Sequence, residues 1–323
     1  RPYATNLLVK LLVVVVNRMA TLDPFGRGVE MEADKPGWND SLNGLPGLFG
    51  SSSNECLELL RAVRLLRDYI DCLSRTPQES ARPHGRRANH EQLSVKVFAE
   101  LHEFMEGLEP LLQKRLKGRT SKSALNYWEA SNTLKEEYRD KTRLGVRGRE
   151  VDLDSEALSR FLELCQRNLE RIFSLRDSGG PGGMLSPEGV PYTYFINEVT
   201  NWEETGETSP SGLPLVKAKA WSQRPVRLFL EGPVHYMKVF PERAREVYRS
   251  VRESNLFDDK LEMYKSCENM EGEDPEIGRA VGAYPRGWIE NESIYLHMEY
   301  KYLLEILRSG LCEEYYGDIA SAL

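Results

Sequence analysis

Apolar side chains recur at helical spacing over most of the chain. Leu7, Leu8, Leu11, Leu12, Val15 and Met19 mark a helix over residues 3–21. Thr21-Leu22-Asp23-Pro24 ends it, because a proline disfavours helical backbone in the residue before it. Asn54 opens a second helix toward Leu73, with Leu57, Leu60, Val63, Tyr69 and Ile70 on its apolar face. The same spacing predicts helices over 91–116, 121–141, 154–175, 242–253, 292–308 and 311–318, with Asp154 as an N-cap and Gly310 as a C-cap. The runs Tyr192–Thr200, Leu215–Ala220 and Val226–Leu230 are aromatic and β-branched instead, and predict a small β-rich insert near 190–232. The sum is mainly α. Long amphipathic helices in pairs suggest an α/α toroid or an irregular helical domain, and no fixed-period repeat points to a solenoid.

Composition narrows the classes. A chain of 323 residues, 40% hydrophobic, is long enough for one large core or two ordinary ones. Its 50 acidic and 43 basic side chains leave a formal charge of -7, which argues against nucleic acid as a partner. Leu7–Val16 is strongly apolar but is interrupted by Lys10 and falls short of the roughly 20 residues a bilayer requires, so no membrane partner is expected. Cys56, Cys72, Cys165, Cys267 and Cys312 are far apart and form no CxxC pair. They read as small hydrophobes in a reducing, cytoplasmic setting, with no zinc or redox motif. The polar stretch Ser74–His90, with Arg82, Arg86 and Arg87, reads as an exposed loop or an anion-binding patch.

Between the first two helices lies a Gly- and Pro-rich loop that is too hydrophobic for a linker. Its residues 30–44 place an aromatic ring, two carboxamides and several carboxylates side by side. Saccharides call for this mixture: an indole such as Trp38 covers the apolar face of a sugar ring, and Asn39 and Asn43 make directional bonds to hydroxyls. One carboxylic acid must donate a proton to the glycosidic oxygen. Burial against Trp38 and repulsion from Asp34 would raise the pKa of Asp40 for that task. The same residues also suit turns and caps in a glycine-rich loop. Trp202 and Trp221, in the β-rich stretch, could flank a sugar cleft or pack in the core.

Gly37-Trp38-Asn39-Asp40-Ser41-Leu42-Asn43 resembles the Trp-Asn-Asp-Gly-Met-Asn motif of glycoside hydrolase family 94, the cellobiose and chitobiose phosphorylases, with Ser41 where the family commonly has Gly. With Pro46-Gly47-Leu48-Phe49-Gly50 the resemblance is closest to the β-1,2-oligoglucan phosphorylase branch. A second segment, Gly287-Trp288-Ile289-Glu290-Asn291-Glu292-Ser293-Ile294-Tyr295-Leu296-His297, is similar to the family's glycine turn leading into a helix that bears a phosphate-contacting His.

The resemblance implies an (α/α)6 barrel, a six-hairpin toroid, of which residues 1–323 are a part. It implies Asp40 as general acid and His297 as phosphate ligand, with Trp38, Asn39, Asn43, Trp288, Glu290 and Glu292 around the sugar. It also implies an inverting phosphorylase of β-linked gluco-oligosaccharides that releases α-glucose 1-phosphate, with inorganic phosphate as co-substrate and no cofactor or metal. A homodimer is a candidate assembly. The family's other phosphate-holding Arg and Ser/Thr-Gly-Thr turn, and its N-terminal β-sandwich, are expected outside this chain, which begins at Arg1 without Met and would be the middle and latter part of a longer protein.

Read without the family, His297 suits a satisfied core histidine, and Glu290 and Glu292 suit capping as well as sugar binding. Two rival functions follow: an inverting hydrolase with Asp34, Glu290 or Glu292 as base, and a glycan-binding module without turnover.

Overall fold

The computed structural model describes residues 3–32, 40–75, 94–118, 120–174 and 183–322, with backbone alone at 40, 74, 75, 121, 174 and 322. In chain order its helices are α1 (Leu7–Ala20), α2 (Ser53–Arg75), α3 (Ala99–Lys117), α4 (Ser121–Thr142), α5 (Ser155–Ser174), α6 (Glu231–Val239), α7 (Ala244–Arg252), α8 (Leu296–Arg308) and α9 (Cys312–Ala322). The strands are β1 (Val29–Glu30), β2 (Gly50–Ser52), β3 (Ser94–Phe98), β4 (Glu150–Asp154), β5 (Tyr194–Thr208), β6 (Pro214–Pro225), β7 (Phe257–Asp258) and β8 (Met263–Tyr264). Among the described residues no helix is long and apolar enough to cross a membrane. The chain divides into two compact units, residues 1–21 with 59–171 and residues 22–58 with 172–323.

In the first unit α1 starts where the Asn6 side chain accepts the Val9 N–H at 3.0 Å, and it buries Val9, Leu12 and Val16 at helical spacing. The Tyr127 hydroxyl of α4 donates to the Met19 carbonyl at 2.7 Å, and burial pushes this phenol far above its ordinary pKa. Arg171 of α5 donates to the carbonyls of Arg115 and Leu116 at 2.6 and 2.8 Å, placing a cation on the open carbonyls that end α3. Within the stretch expected as helix over 91–116, residues Ser94–Phe98 form β3 before α3 begins. Val95 and Val97 alternate with Ser94 and Lys96, a period of two, and β3 pairs antiparallel with β4 from Ser94↔Asp154 to Phe98↔Glu150. Asp154 then caps α5 through a 2.6 Å bond from the Ala157 N–H.

The second unit is built on an antiparallel sheet of order β1-β2-β5-β6. Asp23, buried just after α1, organises the start of the loop. Its carboxylate accepts the backbone N–H of Phe25, Arg27 and Gly28 at 2.9, 3.1 and 2.8 Å, the Ser51 hydroxyl at 2.7 Å and the Gln223 amide at 2.9 Å. That set ties the loop to β2 and β6. Beneath residues 40–48 lies a core of Leu42, Leu45, Tyr194, Ile196, Phe229, Cys267, Met270 and Ile277.

The fold departs from the expected (α/α)6 barrel. Helices α3 and α4, joined across 118–120, do form a hairpin. Elsewhere strands intervene, and the expected β-insert is part of a sheet completed by β1 and β2 from the 23–53 loop. Val226–Leu230 contributes only an isolated bridge between Phe229 and Cys267, and the next residues fold as α6. The physical reason is that periodicity reports which face of a segment is apolar but not which segment covers it.

Candidate functional site

The sugar-like loop and the glycine turn meet in the second unit. Residues Asp40–Leu42 form a single 3-10 turn, followed by another over Leu45–Leu48. Two close backbone approaches hold this loop on residues 275–281. The Gly44 N–H donates to the Ile277 carbonyl at 2.8 Å, and the Ala280 N–H donates to the Ser41 carbonyl at 3.0 Å. A Cβ on Gly44 would lie 1.7 Å from the Glu276 carbonyl oxygen, and one on Gly278 would lie 2.4 Å from that of Ser41. Gly278 also has φ +142°, so glycine is required there on two counts.

The bond that joins the two motifs runs from the Ser41 hydroxyl to the Glu290 carboxylate, across 249 residues of sequence. Both side chains are buried. Ser41 stands at the position where the resembled family commonly has glycine, so the departure from the motif supplies the contact. The Cys267 thiol donates to the Glu290 carbonyl at 2.7 Å, and burial pushes this thiol up to about 12. The Asn291 amide donates to the Tyr284 carbonyl at 2.7 Å, and the Gly287 N–H to the Asn291 carbonyl at 2.8 Å.

This turn is strained. Gly287, Ile289 and Glu292 have φ of +80°, +48° and +57°, a region that disfavours a β-branched side chain such as Ile289. The positive φ at Glu292 accompanies a side chain that is only 8% exposed and receives bonds from Arg286 and from Lys265 Nζ at 3.3 Å. Desolvation raises the Glu292 pKa, but the bonds from Arg286 and Lys265 outweigh it and hold the carboxyl below its ordinary value. Trp288, at 59% exposure, presents its indole to solvent beside the buried Glu290.

His297 sits in the first turn of α8, exposed, with its ring edge-on to Tyr295 at 4.8 Å. It is therefore not a core histidine. Lys301, one turn on, places Nζ 3.3 Å from His297 Nε2. An ammonium has no acceptor, so the lysine donates to an unprotonated ring nitrogen. Burial and then the Lys301 charge lower the His297 pKa, while Glu231 and Glu290 act in the opposite sense.

The remaining expected residues fall as follows. Trp38, Asn39, Asp34 and the arginines Arg82, Arg86 and Arg87 lie outside the described residues, as does the side chain of Asp40. Asn43 is exposed at the end of the first turn of the loop. Trp202 is 56% exposed, and Trp221 packs edge-on to Phe49 at 5.4 Å. Among the described residues no group of three or more His, Cys, Asp or Glu side chains has the geometry to hold a metal ion.

A further group was not legible as a motif: Tyr194, Glu231, His235 and Glu58. The Tyr194 hydroxyl donates to Glu231 Oε2 at 2.9 Å, and His235 Nδ1 lies 2.7 Å from Glu58 Oε1. Within α6 the four-residue spacing of Glu231 and His235 was the one local signal, since it places both on one helix face.

No family model matches the chain, and no curated protein matches it.

Proposed function

We propose that the protein is an inverting glycoside phosphorylase acting on β-linked gluco-oligosaccharides, in a cytoplasmic setting suited to cysteines that form no CxxC pair. The observation that carries this reading is the Ser41–Glu290 bond, which joins the aspartate-bearing loop to the turn that leads into His297. Two sequence segments that a single family resemblance reads as parts of one sugar site are thereby neighbours in one compact unit.

In this reaction Asp40 gives its proton to the glycosidic oxygen as the C1–O bond breaks. An oxygen of inorganic phosphate attacks C1 from the opposite face, and the β-linked sugar leaves as the α-1-phosphate. Phosphate is the nucleophile, so no second carboxylate has to activate water. The arrangement at α8 suits this anion: an imidazole that stays neutral donates a hydrogen bond, and Lys301 supplies the positive charge. Trp288 offers an exposed indole for a sugar face. Glu290 and Glu292 are both engaged by donors of the protein, which fits holding the turn in shape better than activating water.

The test is sugar 1-phosphate release from β-1,2-, β-1,3- and β-1,4-linked glucose trisaccharides with and without phosphate. Release should require phosphate, and Asp40→Asn should lower turnover by about 10³-fold or more while leaving sugar affinity within about 3-fold. Equal sugar release in the absence of phosphate would make the protein a hydrolase and end the proposal.

A further inference from the structure

Helix α6, which packs on α8, carries groups that neither motif contains. Backbone bonds fix its first turn: the Leu230 N–H donates to the Ser266 carbonyl at 3.0 Å, and the Ser266 N–H donates to the Ser293 carbonyl at 2.8 Å, directly after Glu292. Glu231 opens α6 and is held from two sides, by the Tyr194 hydroxyl at 2.9 Å and by His235, whose Nε2 lies 3.7 Å from Oε1. His235 is itself anchored on Glu58, toward which Lys238 also reaches at 3.5 Å. The Glu231 side chain keeps 14% of its surface exposed, so a solute can reach it. Phe229, two residues before Glu231, bridges to Cys267, whose thiol donates to the Glu290 carbonyl at 2.7 Å, so the start of α6 lies beside the glycine turn.

Two facts point to what such a group receives. A carboxylate accepts hydrogen bonds, so the complementary ligand is a hydrogen-bond donor, as sugar hydroxyls are. Four residues before Glu58 on α2, Asn54 is 6% exposed, and neither its amide nitrogen nor its oxygen has a hydrogen-bond partner among the described residues. That spacing sets the carboxamide on the same helix face as Glu58.

We propose that Glu231 is a sugar-binding carboxylate of this site, clamped by Tyr194 and His235 so that it accepts hydrogen bonds from hydroxyls of the bound gluco-oligosaccharide. This rests on the phosphorylase reading for its reaction, but not for its binding.

The experiment uses Glu231→Gln and Tyr194→Phe in the intact protein, with the three glucose trisaccharides and inorganic phosphate as probes. Glu231→Gln should raise the oligosaccharide KM by about 10-fold or more and leave the phosphate KM within about 2-fold, because a charge-assisted acceptor is lost only to the sugar. Tyr194→Phe, which keeps the carboxylate but removes one clamp, should raise the sugar KM by about 3-fold. An unchanged sugar KM in Glu231→Gln, or a rise shared equally by phosphate, overturns the proposal. Calorimetric binding of the same trisaccharides without phosphate separates the two readings. If the wild type binds a trisaccharide and Glu231→Gln weakens it, the assignment of Glu231 stands even where no sugar 1-phosphate is released. A wild type that binds none of the three removes both. Should Glu231→Gln fail to fold by circular dichroism, unchanged sugar affinity in Tyr194→Phe overturns the proposal.

Discussion

At the scale of single residues, the glycine turn carries its chemistry through charges that are matched inside the protein. Glu292 has the clearest pH signature. Its pKa is held below the ordinary 4.5 by Arg286 and Lys265, so it contributes stability above that value and loses the contribution as pH falls through its folded pKa. Glu292→Gln should therefore melt below the wild type near neutral pH, and the gap should close as the solution is acidified past about pH 4. Thermal melts at a series of pH values check this. A gap that is constant from pH 7 to pH 3 would mean that ionisation of Glu292 is not what holds the turn.

The same scale shows where residue types alone were informative and where they were not. Trp288, Glu290, Glu292 and His297 could be named as a group through a resemblance of their short segment to a family motif, whereas residue types alone read His297 as a core histidine and the two glutamates equally as caps. Ser41 could be named only as a departure from a motif, and its role emerged from a partner 249 positions away. Glu231 and His235 are spread over one turn of a helix that no apolar run announces. Their relation to Tyr194 and Glu58 depends on tertiary packing that no local pattern encodes.

At the scale of elements, long amphipathic helices were readable and short strands were not. Helices α1, α2, α4 and α5 lie within a few residues of the bounds that their apolar faces predict, because a 3.6-residue period sustained over several turns has few competing explanations. Strands β1 and β2 have two and three residues, too few to show a period, so the half of the sheet that the loop supplies was not legible, whereas the stretches that form β5 and β6 were. The loop's own shape depends on glycines whose need is steric. Gly278→Ala should destabilise the second unit by about 1–3 kcal/mol, since its Cβ would meet the Ser41 carbonyl and its φ is positive. Gly47→Ala, where a Cβ has nothing within 4 Å, should be near neutral. Urea unfolding of the two variants decides it, and equal stabilities would show that the close approach relaxes without cost.

At the scale of the whole molecule, the cysteines give a simple check on the core. Cys56, Cys165 and Cys267 are buried, and burial pushes the thiols of Cys165 and Cys267 up, whereas Cys72 and Cys312 are exposed. A thiol reagent at pH 8 should modify two cysteines of the native protein quickly and all five after denaturation. A third fast thiol in the native protein would contradict the packing around one of the buried three. The sequence reading of all five as small hydrophobes holds for Cys56, Cys165 and Cys267 and fails for Cys72 and Cys312, which sit on helix positions that face solvent.

The hydroxyl of Ser41 and the carboxylate of Glu290 also set a schedule for biosynthesis. A ribosome adding about 5–20 residues per second makes the serine roughly 12–50 seconds before its glutamate emerges, so this contact must wait through most of translation. Closing so long a loop is slow and comes late. Nascent chains halted before the distal turn would leave the Ser41 hydroxyl without this partner, however well their early helices had folded.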